Sequence, residues 1–416
     1  MQKVNPFFEK FTEIDQSYQS WSKLNSKPYD KLRTSPYTKT RVILMNGTEF
    51  ESNWFMHQFH RHCSNNDLRR ELARIRRREQ QQQKVISSLK PLDENILETT
   101  IGYEQLAVDL TANLAKHVKD EKVKLALDFA LLEDFDHLYR YANLLKEDFG
   151  IEAKGLVGAM TEITPGRPTI AEHRYPFDDV KKWICSNTAD PFTKLTVNII
   201  TAAEQQTMNY YMNIGNTYPT EKGRKLYAEI AMIEEQHVSS YGSLIDVNCS
   251  WLENWLMHEY VECYLYYSCR EEESDEYIRD IWNKHYLEEC GHLARVAYLL
   301  NEYEGKPWQS VFPCGGDFPA PIKLESNIDY VREVLKNTVH NTACMEGYCP
   351  VSELDDNANF FKYNKTVNGN PETVTSHVVI KDFIEKNGED YRFETNPNPV
   401  PELRDRTKDN ISVGRE

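Results

Sequence analysis

The sequence predicts a mainly helical protein whose centre is an antiparallel bundle of long helices. Two observations support this fold class: apolar residues recur at helical spacing over residues 92–304, and short turns with capping residues interrupt them. The pattern predicts helices near 92–117, 120–149, 190–217, 220–246, 250–271 and 275–304. A basic segment with an Asn or Asp cap predicts one further helix, over residues 66–89.

The segments on either side of the bundle have a different composition. Residues 1–65 are polar and aromatic without a clear period, so we expect an irregular arm that makes up residues 1–90 together with the basic helix. The bundle should span 91–304, with a long crossover at 150–189. Residues 305–416 predict a partly irregular C-terminal extension, in which VTSHVVI (374–380) is expected to form a strand.

Charge and composition exclude several classes of protein. A formal net charge of −16 disfavours a general nucleic-acid binder, although an arginine-rich stretch at residues 68–78 leaves an acidic partner or RNA open. The N-terminus has no apolar core of a signal peptide, and no run of apolar residues is long enough to span a membrane. The 9 cysteines form no CxxC pair, which favours reduced thiols and a cytoplasmic protein.

Three predicted helix pairs share one arrangement of acids and histidine. In each pair, an acid precedes the acid of a [DE]xxH motif by the same interval along the chain. The three sets are Glu104 with Asp134 and His137, Glu204 with Glu234 and His237, and Glu259 with Glu289 and His292. A [DE]xxH motif alone is a weak signal, and the repeated upstream acid makes the pattern informative.

This spacing predicts half of a metal site in each helix pair. Residues three apart lie on one helix face, so the acid and the imidazole of the motif can reach one ion. The upstream acid lies about 14 residues before the turn and the motif acid about 16 after it, so an antiparallel hairpin brings both to one height. Two hairpins supply four carboxylates and two histidines, a set that suits two iron or manganese ions. The alternative is that these are ordinary residues of helix faces.

These pairs, with the long link after the second helix, resemble the ferritin-like di-iron carboxylate superfamily. That group includes ferritins, rubrerythrins, ribonucleotide reductase small subunits and bacterial multicomponent monooxygenases. The resemblance covers roughly residues 92–304 and implies a ferritin-like antiparallel helical bundle, here with an extra helical hairpin and irregular N- and C-terminal additions. Two features depart from the pattern: Asp134 stands where most members have Glu, and a third pair is present where two suffice.

The topology of the superfamily favours one combination of pairs. Its helices run up and down, cross the bundle, and then run down and up, and residues 150–189 are long enough for this crossover. The preferred metal ligands are therefore Glu104, Asp134, His137, Glu204, Glu234 and His237. Alternatives are a site from the first and third pairs, from the second and third pairs, or shared between subunits. In these the third half-site consists of Glu259, Glu289 and His292.

The resemblance implies an oxidoreductase with two iron ions, or manganese and iron, as cofactor. Such a non-haem oxidase or oxygenase activates dioxygen or peroxide and oxidises a small organic substrate, with an external electron donor as a possible partner. One alternative is an iron-handling protein with ferroxidase or peroxidase-like activity. Another is a metal-free helical binding or scaffold protein. The third hairpin is a candidate face for a homodimer.

Overall fold

The computed structural model describes residues 3–392, 397–404 and 406–407 and is mainly helical, as the sequence predicts. The helices are α1 (Ile14–Ser17), α2 (Pro36–His62), α3 (Asn66–Ser87), α4 (Ile96–His117), α5 (Glu121–Phe149), α6 (Ala153–Leu156), α7 (Thr169–Glu172), α8 (Pro191–Ile214), α9 (Glu221–Ser243), α10 (Trp251–Glu272), α11 (Glu276–Glu304), α12 (Ile328–Thr338), α13 (Asn359–Asn368) and α14 (Thr375–Asn387). Two strands, β1 (Asn341–Cys344) and β2 (Gly347–Pro350), form an antiparallel hairpin. Short 3-10 helices are Pro6–Phe8, Trp21–Lys23, Pro176–Asp179, Gly215–Thr217, Trp308–Ser310, Val351–Glu353, Pro371–Thr373 and Pro401–Leu403.

The long helices begin and end at the signals that the sequence carries. At the start of α4, the Asn95 side chain accepts from the backbone of Glu98, and the Glu98 side chain accepts in return from the backbone of Asn95. The helices α5 and α11 end at Gly150 and Gly305, whose φ angles of 69° and 65° are left-handed and favour glycine. The helices predicted between residues 66 and 304 are therefore confirmed to within a few residues.

The expectation of an irregular arm over residues 1–65 is wrong for its second half. Residues 36–62 form α2, a helix of 27 residues. Its interior side includes buried polar side chains such as Thr40, Glu49 and Ser52 as well as apolar ones. Because polar residues interrupt its inward face, no apolar stripe at helical spacing marks this segment in the sequence.

The expectation of a strand at residues 374–380 is also wrong, because these residues begin α14. Its buried positions include Ser376, Val379, Ile380 and Phe383, which recur at helical spacing. The β-branched residues of VTSHVVI favour a strand when this segment is taken alone. The helical spacing of buried residues is recognisable only when Phe383 and Ile384, which follow the segment, are included. The extension is also more regular than expected, since it holds α12, α13 and the β-hairpin. Its residues 393–396, 405 and 408–416 lie outside the described part of the chain.

The chain divides into two compact units, which we call unit 1 and unit 2. Unit 1 contains the described residues up to Asp93 together with Trp183–Ala203 and Ile245–Lys323. Unit 2 contains Glu94–Lys182, Glu204–Leu244 and the described residues from Leu324 onward. In unit 1, α2 packs on α3 and α10, and α11 packs on α10 and α3. The hairpin α10–α11, expected as an addition to the bundle, therefore shares a unit with the N-terminal helices.

Unit 2 is built around the hairpin of α4 and α5. The helix α5 also packs against α9, α12 and α14. Its core includes Leu110, Leu131 and Leu138, which are 0% exposed. Among the helices that the structure describes, none combines the length and the apolar character needed to cross a membrane.

Candidate metal centre

All six side chains of the preferred site lie together in unit 2. The helices α4, α5 and α9 and the part of α8 that belongs to this unit, from Glu204 onward, each contribute one acid, and α5 and α9 each add a histidine three residues later. The ligand atoms form two overlapping groups, and the atoms of each group lie within 4.8 Å of one another. The groups are Asp134, Glu204, Glu234 and His237, and Glu104, His137 and Glu234. Every one of these side chains is at most 1% exposed.

Glu234 belongs to both groups and lies between the two imidazole rings. Its Oε1 is 3.0 Å from Nδ1 of His137, and its Oε2 is 3.1 Å from Nδ1 of His237. The same Nδ1 of His237 lies 3.2 Å from Oδ1 of Asp134. Each oxygen of Glu234 thus faces a different ring nitrogen, the arrangement of a carboxylate that can bridge two cations.

The opposite nitrogen of each ring faces a further carboxylate. Nε2 of His237 lies 2.7 Å from Oε2 of Glu133, and Nε2 of His137 lies 3.6 Å from Oε2 of Glu172. Burial alone would lower the pKa of these histidines, but the carboxylates on both sides of each ring raise it well above its usual range. Nδ1 of each ring is directed at the acid cluster, and a cation that bound there through Nδ1 would displace its proton.

Buried arginines hold these two outer carboxylates. Arg167 donates to Oε1 of Glu133 at 2.7 Å, and Arg174 donates to the same oxygen. Arg140 donates to both oxygens of Glu172, at 3.2 and 3.3 Å. The arginines thus compensate the acids behind the histidines.

The acids of the cluster itself have perturbed pKa values. Burial raises the pKa of the Glu204 carboxyl well above its usual range, and the charge of Asp134 raises it further. Burial likewise raises the pKa of Glu104. For Glu234, burial opposes ionisation, but hydrogen bonds from the two histidines lower its pKa to about 2. Glu234 is therefore ionised, while burial favours protonation of Glu104 and Glu204 in the absence of a cation.

Several acid oxygens in the cluster accept no hydrogen bond. Both oxygens of Asp134, both of Glu204 and Oε2 of Glu104 are buried without such a partner. A buried acceptor that is left unsatisfied costs roughly 1–3 kcal/mol, and more when it is charged. Carboxylate oxygens with imidazole nitrogens are a donor set that iron and manganese accept. The residues present therefore fit a pair of such ions.

Tyrosines surround the cluster. Tyr211 donates a hydrogen bond of 2.5 Å to Oε1 of Glu104, which fixes that carboxylate. The hydroxyls of Tyr141 and Tyr241 are buried without a hydrogen-bond partner. The ring of Tyr103 stacks on Tyr210, with centroids 4.3 Å apart. Tyr211 thus positions a candidate ligand, and Tyr103 is a packing residue.

His173 in the crossover does not join the ligand groups. It lines a cavity of about 380 Å³ beside α9, together with Lys225, Glu229, Met232 and residues of α13. Burial lowers the pKa of His173 to about 4, so the ring is neutral at neutral pH. Its neighbour in sequence, Glu172, is the acid that faces His137.

The third predicted half-site lies in unit 1. Glu259, Glu289 and His292 meet Glu79 of α3, with ligand atoms within 4.8 Å of one another. The alternative combinations of this hairpin with the first or the second pair are therefore not formed within unit 2. Sequence reasoning missed Glu79, although Glu49 precedes it by the interval of the other pairs, because Gln82 stands where a [DE]xxH motif has its histidine.

The basic helix over residues 68–78 makes ion pairs within unit 1. Arg74 donates to Asp15 at 2.8 Å, and Arg70 pairs with Asp67. Arg78 is fully buried and pairs with Glu288 at 2.5 Å. These arginines thus neutralise acids of the same unit.

Comparison of the chain with protein-family models, with curated proteins and with solved structures gives no match. No relative therefore supplies a function. The residues and distances of the cluster are the basis for the functional conclusion.

Proposed function

We propose that this chain is a dimetal carboxylate oxidoreductase, in which α4, α5, α8 and α9 form a ferritin-like bundle around two iron ions, or manganese and iron. The observation that carries the proposal is Glu234, which faces both imidazole rings inside a closed set of buried acids. In di-iron carboxylate bundles, one acid from each of two helices joins an acid and a histidine three residues apart from each of the other two. The six side chains of unit 2 follow that arrangement.

The chain's own residues have distinct roles in this proposal. One ion would be held by Asp134, Glu204, Glu234 and His237, and the other by Glu104, His137 and Glu234. When bound, the ions supply the redox chemistry with dioxygen or peroxide. Glu133 holds a proton at Nε2 of His237 and so fixes the orientation of that ring, while Glu172 faces Nε2 of His137 from 3.6 Å. Tyr211 holds Oε1 of Glu104, which leaves Oε2 directed to the cluster.

A small organic substrate is supported by what surrounds the four helices. A bundle that only handles iron needs no more than those helices, whereas unit 2 also contains residues 150–182 of the crossover and α12 to α14. The cavity beside α9 offers about 380 Å³ and combines charged Lys225 and Glu229 with apolar Met232 and Val367. Pockets of this size and mixed lining accommodate small organic molecules.

Metal content tests the proposal directly. The full chain would be loaded anaerobically with ferrous or manganous ions, desalted and measured by elemental analysis, beside Glu234→Ala and Glu235→Ala. Glu235 is the matched control, because it is an exposed acid next to Glu234 on the same helix. We expect Glu234→Ala to lose two ions per chain and Glu235→Ala to lose none. Equal metal content in all three proteins would refute the assigned ligands, and absence of metal would favour the scaffold alternative.

Oxygen consumption then separates the two metal-dependent functions. For an oxidase, loaded protein with a reductant consumes oxygen faster when a substrate from a panel of small organic molecules is added, and Glu234→Ala does not. Oxygen consumption that depends only on added ferrous iron, in a fixed ratio to that iron, would instead assign the chain to iron handling.

A further inference from the structure

Unit 1 repeats the spacing of acids that defines the cluster of unit 2. Glu49 on α2 precedes Glu79 on α3 by the interval that separates Glu104 from Asp134, and Gln82 follows three residues later. The second hairpin of the unit carries Glu259, Glu289 and His292 at the same intervals. Each unit thus has two helix pairs with identical spacing of these residues. In the first pair, unit 1 has Glu79 where unit 2 has Asp134, and Gln82 where unit 2 has His137.

One group of ligand atoms is complete in both units. In unit 1 it consists of Glu79, Glu259, Glu289 and His292, which correspond in position to Asp134, Glu204, Glu234 and His237 of unit 2. Nδ1 of His292 lies 3.0 Å from Glu289, 3.7 Å from Glu259 and 3.8 Å from Glu79. These four side chains are 0% exposed.

Unit 1 differs from unit 2 in the second ligand group, which in unit 2 consists of Glu104, His137 and Glu234. Gln82 occupies the position that His137 has in unit 2, and its Nε2 donates to Oε1 of Glu289 at 2.5 Å. The corresponding contact in unit 2 is Nδ1 of His137 at 3.0 Å from Oε1 of Glu234. An imidazole can present a lone pair to a cation at that place, whereas the amide nitrogen only donates. The amide nitrogen thus occupies the carboxylate oxygen that a second ion would need, while Oε1 of Gln82 stays buried without a hydrogen-bond partner.

The remaining group has buried atoms directed into it without a partner. Oε1 of Glu79 and Oε2 of Glu259 are buried and accept no hydrogen bond, and these are the oxygens nearest to Nδ1 of His292. Their other oxygens are satisfied, by Ser52 at 3.3 Å and by Trp255 at 2.6 Å. One oxygen of each acid is thus fixed by the fold, and the other faces the common centre.

The negative charge of the acid cluster in unit 1 also favours a bound cation. Glu49 and Glu262 are fully buried beside the group, so five glutamates lie together. The nearby buried arginine, Arg78, pairs with Glu288 instead. Buried carboxylates are costly unless a counter-charge or a metal ion neutralises them.

We propose that unit 1 binds a single divalent transition-metal ion on Glu79, Glu259, Glu289 and His292, and that Gln82 closes the second position. Three carboxylates and one imidazole suit Fe²⁺ or Mn²⁺. This site is separate from the cluster of unit 2 and does not depend on the chemistry proposed there.

Manganese loading of the full chain tests the proposal, with elemental analysis and electron paramagnetic resonance as readouts. An isolated Mn²⁺ ion and a pair of neighbouring ions that are magnetically coupled give different spectra. We expect three ions per chain, one of them isolated. If unit 2 failed to bind metal, the isolated signal alone would remain, so the two proposals fail separately.

Three variants of unit 1 sharpen the test. His292→Ala should remove one ion and the isolated signal, whereas His285→Ala, which truncates another buried histidine of α11, should keep both. Gln82→His should add one ion and replace the isolated signal by a second coupled pair. Because Gln82→His is expected to bind an additional ion, this part of the test does not depend on whether His292→Ala folds.

A reciprocal variant in unit 2 completes the design. His137→Gln should lose one ion and add a second isolated signal, since it recreates the arrangement of Gln82. An unchanged metal content in His292→Ala would overturn the site. Four ions in the wild type, with no effect of Gln82→His, would overturn the role of Gln82.

Discussion

Glu133 lies between the candidate ligand His237 and the buried side chains of Arg167 and Arg174. Its replacement by glutamine tests whether its charge orients the His237 ring. Its Oε2 lies 2.7 Å from Nε2 of His237, while its Oε1 accepts from Arg167 and Arg174. Burial opposes ionisation of Glu133, but the two arginines lower its pKa below the usual range. Glu133→Gln keeps the shape and one acceptor oxygen and removes the charge that orients the ring.

The loss of metal affinity in Glu133→Gln can be estimated from the typical effect of a carboxylate behind a histidine ligand. A partner on the far nitrogen of a histidine ligand typically contributes about 10- to 100-fold in affinity, which corresponds to about 1.4–2.7 kcal/mol. We expect this loss for the ion of His237 and a much smaller one for the ion of His137, whose partner is Glu172. Breaking a buried ion pair can cost about 3–5 kcal/mol of stability. The cost should lie below this range here, because Arg174 keeps Asp179 at 3.1 Å.

Manganese titration in competition with a fluorescent chelator measures the two affinities. The control is Glu235→Gln, which makes the same chemical change at an exposed position. Urea unfolding of the metal-free proteins separates a loss of affinity from a loss of stability. Wild-type affinity of Glu133→Gln for both ions would refute the orienting role, and so would an equal loss for both.

Three further predictions concern the same clusters. Metal affinity should rise as the pH is raised above the usual range of a glutamate carboxyl, because burial raises the pKa of Glu104 and Glu204 and binding must displace their protons; a flat profile in buffered titrations would contradict this. Tyr211→Phe should lower the stability of the metal-free chain by about 1–3 kcal/mol in urea unfolding, since it leaves Oε1 of Glu104 buried without a hydrogen bond. Arg78→Met should cost about 3–5 kcal/mol, because it leaves Glu288 buried and unpaired; the loss should shrink in Arg78→Met/Glu288→Met.

The parts of the fold that the sequence predicts are those in which apolar residues at helical spacing lie between marked turns. The helices α4, α5, α8, α9, α10 and α11 combine such a pattern with capping residues, so their ends agree with the structure within a few residues. The helix α2 has Glu49, Ser52 and other polar residues on its interior face, and no side chain caps its first turn, so neither signal marks it. Its polar interior belongs to the acid cluster of unit 1, so the feature that gives this helix a chemical role also obscures it in the sequence.

Some residues of the candidate site could be predicted from the sequence, and others could not. Spacing along a helix is local, so the acid and histidine of each motif and the acid upstream of them could be predicted to meet within one hairpin. Glu133 and Glu172 could not be found by spacing. Glu133 is next to Asp134 in sequence, and consecutive helical residues point about 100° apart. Only the packing of unit 2 brings it to His237 of another helix.

The two units show how one spacing can support different metal chemistry. The shared interval between the acids of a hairpin sets where they meet, and single residues beside them set what the cluster can hold. Arg78 precedes Glu79 as Glu133 precedes Asp134, so a cation stands where unit 2 has an acid. That arginine pairs with Glu288, and Nε2 of His292 is left buried without a partner. Because no carboxylate orients this ring as Glu133 orients His237, the ion of unit 1 should be held more weakly than the pair in unit 2.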